Sequence, residues 1–194
     1  MTRLKDLAEK HSPVHERKIE LHTYPINEDE VVVEGWLRDE RLVKGYFWDG
    51  ETRPPGVVHH IGVRLLVGGW PLRILDAEAE MRRVPQELCP TVLDTVKKVV
   101  GLTIESGFSG RVLELLGRVE GCTHMSYLVM AMGPAAVHGY WTHKSRKRRP
   151  APRSMEEFPG LGALVNSCML WREDGPLIQK IEDYFRQREA DEEA

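Results

Sequence analysis

Apolar and polar positions alternate with period two through the first half of the chain and with a helical period after it, so the two halves predict different secondary structure. Ile19, Leu21 and Thr23 alternate, then Val31 to Leu37, then Leu42 to Trp48. Each run is rich in β-branched or aromatic residues and is bounded by turn-formers such as Pro25-Ile26-Asn27. The stretch Asp49–Gly56 contains Pro54 and Pro55, which remove ladder donors, and predicts a loop. A strand from Val57 to Val67 follows. Gly68-Gly69 then predicts a two-residue primed turn into a last strand, Trp70 to Met81. In that register Val67 pairs with Trp70, Leu65 faces Leu72, Val63 faces Ile74, Ile61 faces Asp76 and His59 faces Glu78. The other side sets Arg64 opposite Arg73, a like-charge pair that belongs in water, so the side carrying His59 is the predicted core face.

From residue 86 the period changes. Leu88, Val92, Val96, Val99 and Val100 fall at helical spacing, Thr91 with Asp94 matches a capping box, and Gly101 supplies a stop. A short apolar run follows Ser109-Gly110 and ends at Gly117. Gly121-Cys122-Thr123-His124 opens a longer helix whose buried stripe is Met125, Leu128, Val129, Met132 and Ala136, and which Pro134 is expected to kink or split. His143 to Arg153 carries Lys144, Arg146, Lys147, Arg148, Arg149 and Arg153 among prolines and predicts an extended, mobile linker. A last amphipathic helix, roughly Pro176 to Arg188, carries Ile178, Ile181, Tyr184 and Phe185. The expected fold is α+β: an antiparallel sheet of about five strands in the N-terminal half, followed by helices packed on one face. The expected organisation is an N-terminal extension (1–16), a core domain (17–141), a basic linker (142–158) and a C-terminal helical extension (159–194).

Composition narrows the class. At 194 residues, with 41% hydrophobic and 29% charged, the chain can bury a core. The uncharged stretch Gly121–His138 is interrupted by His124 and Pro134 and is too polar for a bilayer span, so no membrane is expected. Met1 to Lys10 holds five charged residues and no apolar core of a secretory signal, which makes the cytoplasm the expected compartment. With 27 basic and 30 acidic residues the net charge is −3, which argues against nucleic acid as a partner. Cys89, Cys122 and Cys168 are odd in number and widely spaced, so they predict reduced thiols rather than a disulfide framework.

The candidate chemistry gathers around His59 and Gly121-Cys122-Thr123-His124. Cys122 stands where a loop becomes a helix, and unpaired backbone donors there favour an anion or a thiolate. Cys122 and His124 are spaced to chelate a metal only if the backbone turns between them; equally, Cys122 reads as a small buried hydrophobe and His124 as a hydrogen-bonded residue of the helix start. His59 falls on the apolar face opposite Glu78, as a general base with its orienter, a metal ligand, or a satisfied core histidine. Asp76, Glu78 and Glu80 share a strand face, either as working acids or as a solvated edge. The basic run lacks interleaved aromatics and reads as solvated.

Val58-His59-His60-Ile61, Leu75-Asp76-Ala77-Glu78-Ala79, Cys89-Pro90 and Gly121-Cys122-Thr123-His124-Met125 together resemble the bacterial domain-of-unknown-function family 2889 over about residues 17–141. The family pattern has aspartate and methionine where this chain has His60 and Ile61, and leucine at Met125. The resemblance implies a bacterial intracellular protein and supplies no activity; the extension after Trp141 lies outside it.

Two functional classes follow. In the first, the chain is a small-molecule enzyme or ligand-binding protein whose site draws on His59, Glu78, Cys89, Cys122 and His124 at the sheet end near a helix N-terminus. Zinc would suit His59, Cys89, Cys122 and His124 as ligands; without metal, Cys122 would be a nucleophile with His124 or His59 as base and Glu78 as a further catalytic candidate. In the second, those residues are structural and the chain is a non-catalytic protein-interaction module. The C-terminal helix is in either case the candidate contact for a homo-oligomer.

Overall fold

The computed structural model describes residues 3–148, 150–158 and 160–193, the side chains of 189 and 191–193 excepted; Arg149 of the basic run thus lies outside the described residues. The chain forms two compact units, Met1–Lys144 and Ser145–Ala194.

In the first unit, a short helix α1 (Arg3–Ala8) precedes β1 (His15–Pro25), β2 (Glu30–Arg41), β3 (Gly45–Tyr46), β4 (Thr52–Arg53), β5 (Gly56–Gly68) and β6 (Arg73–Arg83). The alternating segments form a four-stranded antiparallel sheet in the order β1-β2-β5-β6, and β3 with β4 makes a separate two-stranded ribbon. The expected third strand, Leu42 to Trp48, therefore shrinks to Gly45–Tyr46 and does not join the sheet. One face is apolar: Val31, Val33, Leu37, Ile61, Val63, Leu65 and Val67 are almost fully buried. The fold class is α+β, with the sheet in the N-terminal half and, apart from the short α1, the helices after it.

The β5–β6 register differs from the expected one. Pro71 cannot donate to a ladder, and Leu72 and Ile74 bond instead with Ile104 and Leu102 on the far edge, so pairing with β5 starts at Gly68 with Arg73. A bulge then skips Leu75, so that Leu65 meets Ala77, Val63 meets Ala79 and Ile61 meets Met81. That slip turns the acids over. Glu78 lies beside Arg64 on the outer face, not beside His59.

Cys89–Val99 is a succession of 3₁₀ turns rather than an α-helix, and no capping-box bond forms; Thr91 Oγ1 donates to Leu88 O at 2.8 Å. Pro90 near its start has no amide hydrogen to give. Helix α2 spans Phe108–Leu116. Helix α3 runs from Thr123 to Ser145 without a break at Pro134, whose ring is exposed. Leu128 and Met132 of α3 pack over β2 at Gly35, where a Cβ would stand 3.0 Å from both side chains. Glycine there lets the helix lie close to the sheet. The last turn of α3 takes in the start of the expected linker: Lys144 Nζ donates to Glu28 O at 2.9 Å and Asp29 Oδ1 at 2.8 Å, and the His143 ring meets Asn27 O at 2.8 Å. Helix α3 thus includes His143, Lys144 and Ser145, the first residues of the basic run.

The second unit contains α4 (Leu161–Leu164) and α5 (Pro176–Glu193), which continues past the expected end at Arg188. Ile178 and Phe185 are buried and Tyr184 is exposed. Among the described residues no helix is long and apolar enough to cross a membrane.

Candidate functional site

The alternation that buries Val31, Val33 and Leu37 continues to Asp39, an acid at a core-facing position that is 3% exposed. The sheet register sets Arg17 of β1 and His59 of β5 on either side of it. Arg17 grips the carboxylate with both arms of its fork, Nε to Oδ1 at 2.6 Å and Nη2 to Oδ2 at 2.8 Å. His59 Nδ1 lies 3.0 Å from Oδ2; an ionised carboxylate only accepts, so the ring donates there. His15 Nε2 stands 3.5 Å from Oδ1.

Helix α3 delivers a further imidazole. His124, one turn before Leu128, brings Nε2 to 3.6 Å from Asp39 Oδ2, and its ring lies against that of His59, centroids 3.9 Å apart and planes tilted by 34°. Cys122 O accepts the first helical bond from Ser126 N at 2.9 Å, so Cys122 occupies the N-cap position. Its Sγ is 3.9 Å from His124 Nδ1, the ring nitrogen turned away from Asp39. The thiol, the imidazole and the carboxylate thus follow one another in a row.

Charge favours that row. The hydrogen-bonded Arg17 guanidinium is the main reason the Asp39 carboxyl is held below the ordinary aspartate range; burial opposes it, and His59 adds to it. Burial, and then the neighbouring His59, lower the His124 pKa from the usual value and so favour the neutral imidazole, with Asp39 as the smaller opposing influence. A neutral His124 keeps one nitrogen lone pair for a proton.

Of the residues singled out from the sequence, the structure sets His59 and His124 beside Asp39, and Cys122 beside His124. Glu78 sits on the opposite face of the sheet, 68% exposed at its side chain. Cys89 opens the 3₁₀ segment and is not part of the cluster whose ligand atoms lie within 4.8 Å of one another, Asp39, His59 and His124. Among the described residues that group could hold a divalent cation, although Arg17 already engages both Asp39 oxygens. Asp39, Arg17 and His15 were missed. The available signal was the continued alternation Val31, Val33, Gly35, Leu37, Asp39, an acid completing an apolar series.

A family model described as a protein of unknown function, DUF2889, matches residues 15–138. The chain belongs to the DUF2889 family. No curated protein and no solved structure matches it. His15, Arg17, Asp39, His59, Cys122 and His124 all fall within the DUF2889 stretch, whereas the second unit lies wholly beyond it. The polar cluster thus belongs to the DUF2889 portion of the chain.

Proposed function

We propose that this DUF2889 chain is a small-molecule enzyme in which Cys122 is the nucleophile, His124 its base and Asp39 the group that orients the base. The row Cys122 Sγ, His124 Nδ1 at 3.9 Å, His124 Nε2, Asp39 Oδ2 at 3.6 Å carries this reading. A nucleophile, a base within reach and a third group behind the base are the parts that covalent catalysis requires. The reaction class that uses them is acyl transfer. Sγ bonds to an electrophilic carbonyl carbon while its proton passes to His124 Nδ1; the Asp39 charge, 3.6 Å from Nε2, stabilises the imidazolium. The bond from that carbon to the departing group then breaks and the departing group takes the proton from His124; water discharges the resulting Cys122 thioester, giving one proton back to the sulfur through His124. His59 lies against the ring of the base and, with Arg17, keeps Asp39 in place.

A second reading has its own observation: the ligand atoms of Asp39, His59 and His124 lie within 4.8 Å of one another, and two imidazoles with one carboxylate suit zinc. In that reading Asp39, His59 and His124 would hold the metal, with one Asp39 oxygen given up by Arg17, and the chemistry it would supply is activation of water.

Iodoacetamide labelling with and without EDTA separates the two. The thiol reading expects Cys122 to be alkylated at least ~10-fold faster than Cys168, the exposed cysteine, with no effect of chelator and a loss of that advantage in His124→Gln. Stoichiometric zinc that disappears in His59→Ala, with labelling fast only after chelation, selects the metal reading. Slow labelling of Cys122 in metal-free protein overturns both and leaves the cluster as structure.

A further inference from the structure

Several arginines of the first unit are already paired: Arg17, Arg38, Arg64, Arg82 and Arg111 each meet a carboxylate at ion-pair distance. Arg41, Arg53 and Arg83 meet none among the described residues, and all three line one cavity of about 370 Å³ at the end of the sheet. Its other walls are apolar: Phe47, Pro54 and Val58. The volume falls within the ~300–1,000 Å³ of small-molecule sites.

Two of the guanidiniums are held before any ligand arrives. Arg41 Nη1 donates to Pro54 O at 2.9 Å, and the Arg53 guanidinium lies over the Phe47 ring, 4.1 Å from its centroid. Both contacts reduce the ordering that a ligand must impose, and neither neutralises the charge. Three uncompensated cations repel one another unless a counter-charge sits between them, and a forked guanidinium matches a carboxylate or a phosphate in geometry. The cavity is also close to the polar cluster along the chain: Val58 precedes His59, and Arg41 follows Asp39 by two residues, about 7 Å of strand.

We propose that this cavity binds the anionic head group, carboxylate or phosphate, of a small molecule whose flat apolar body lies against Phe47, Pro54 and Val58. The site stands on its own geometry and does not depend on the thiol chemistry. A neutral molecule of the same shape leaves the arginines uncompensated and binds poorly.

The test is an amide-shift titration of the full chain with benzoate, phenyl phosphate and, as the neutral counterpart, benzamide. Benzoate or phenyl phosphate is expected to give saturable shifts confined to residues around Phe47, Val58 and Val84, the stronger of the two naming the head group. Benzamide should bind at least ~10-fold more weakly, the scale expected of charge-assisted hydrogen bonds. Arg83→Gln should weaken binding ~5-fold or more, while Arg118→Gln, an exposed arginine away from the cavity lining, should leave it unchanged. The same spectra report whether each variant is folded. Cys122→Ser should bind as the parent does, so that loss of thiol reactivity and loss of anion binding are read separately. Equal binding of benzamide and benzoate, an equal effect of both arginine variants, or shifts without saturation overturns the proposal.

Discussion

The two faces of the same sheet handle charge in opposite ways. On the outer face one guanidinium, Arg64, serves three carboxylates: Glu34 at 2.7 Å, Glu80 at 3.0 Å and Glu78 at 3.2 Å. These bonds raise its pKa, Glu80 contributing most. At the end of the inner face one carboxylate, Asp39, serves the Arg17 guanidinium and has three imidazoles about it. The outer network faces water, which screens its surplus negative charge. In the inner one the carboxylate itself is buried, at 4% side-chain exposure, and it contains more groups able to take a proton than it has charges to balance. A network whose donors are all directed at carboxylates holds strands together; one that leaves His124 Nδ1 beside a thiol also has a proton acceptor to spare.

The largest test of that contrast is removal of a carboxylate from each face. Asp39→Ala is expected to cost about 2 kcal/mol, because charged hydrogen bonds are lost at a site with 4% side-chain exposure. Glu78→Ala, at 68% side-chain exposure, should cost no more than about 0.5 kcal/mol. Urea unfolding of the two variants checks this, and equal losses would erase the distinction between the faces.

Much of this arrangement was legible in the chain. Alternation put His59 on the core face because the side-chain period of a strand is two, and that argument needs no partner strand. The loop-to-helix change at Cys122 likewise depends on local pattern alone. What failed was pairing. Gly68-Gly69 suggested a two-residue turn, but Pro71 and the bonds of Leu72 and Ile74 to residues 102–104 moved the start of β6, and the skipped Leu75 moved it again. One residue of slip is enough to carry Glu78 to the other face. Asp39 was legible in principle but was passed over, since its burial depends on Arg17 arriving from a neighbouring strand, a contact 22 residues apart in sequence.

A smaller difference between the faces should appear with pH. The folded-state pKa of His124 is lowered, so the fold binds fewer protons there than the unfolded chain does. The stability this contributes is present above the unfolded value of about 6.5 and is lost as pH falls below it toward the folded value. Urea midpoints between pH 7.5 and 5.5 should therefore fall, and His124→Gln should fall less than the parent. A parallel decline in both would assign the pH dependence to other groups.

The smallest expected effect concerns Arg17, whose side chain is 42% exposed, so that the pair's worth is reduced by solvent. Arg17→Gln should cost at most about 1 kcal/mol near neutral pH, which by itself does not distinguish it from an ordinary surface substitution. Its signature is in acid. Arg17 is the main cause of the lowered Asp39 pKa, and a lowered carboxyl contributes stability above the unfolded value of about 3.9 that disappears as pH falls through the folded value. Without Arg17 the folded value rises toward the unfolded one and Asp39 gains its proton sooner. The acid unfolding midpoint of Arg17→Gln should therefore move to higher pH. Glu78→Gln, which removes one of three carboxylates sharing Arg64, should leave the midpoint where it is. An acid midpoint unchanged by Arg17→Gln would mean that burial rather than the guanidinium governs Asp39. A carboxyl governed by burial would take up a proton rather than stay ionised behind His124, and the oriented base would lose its support.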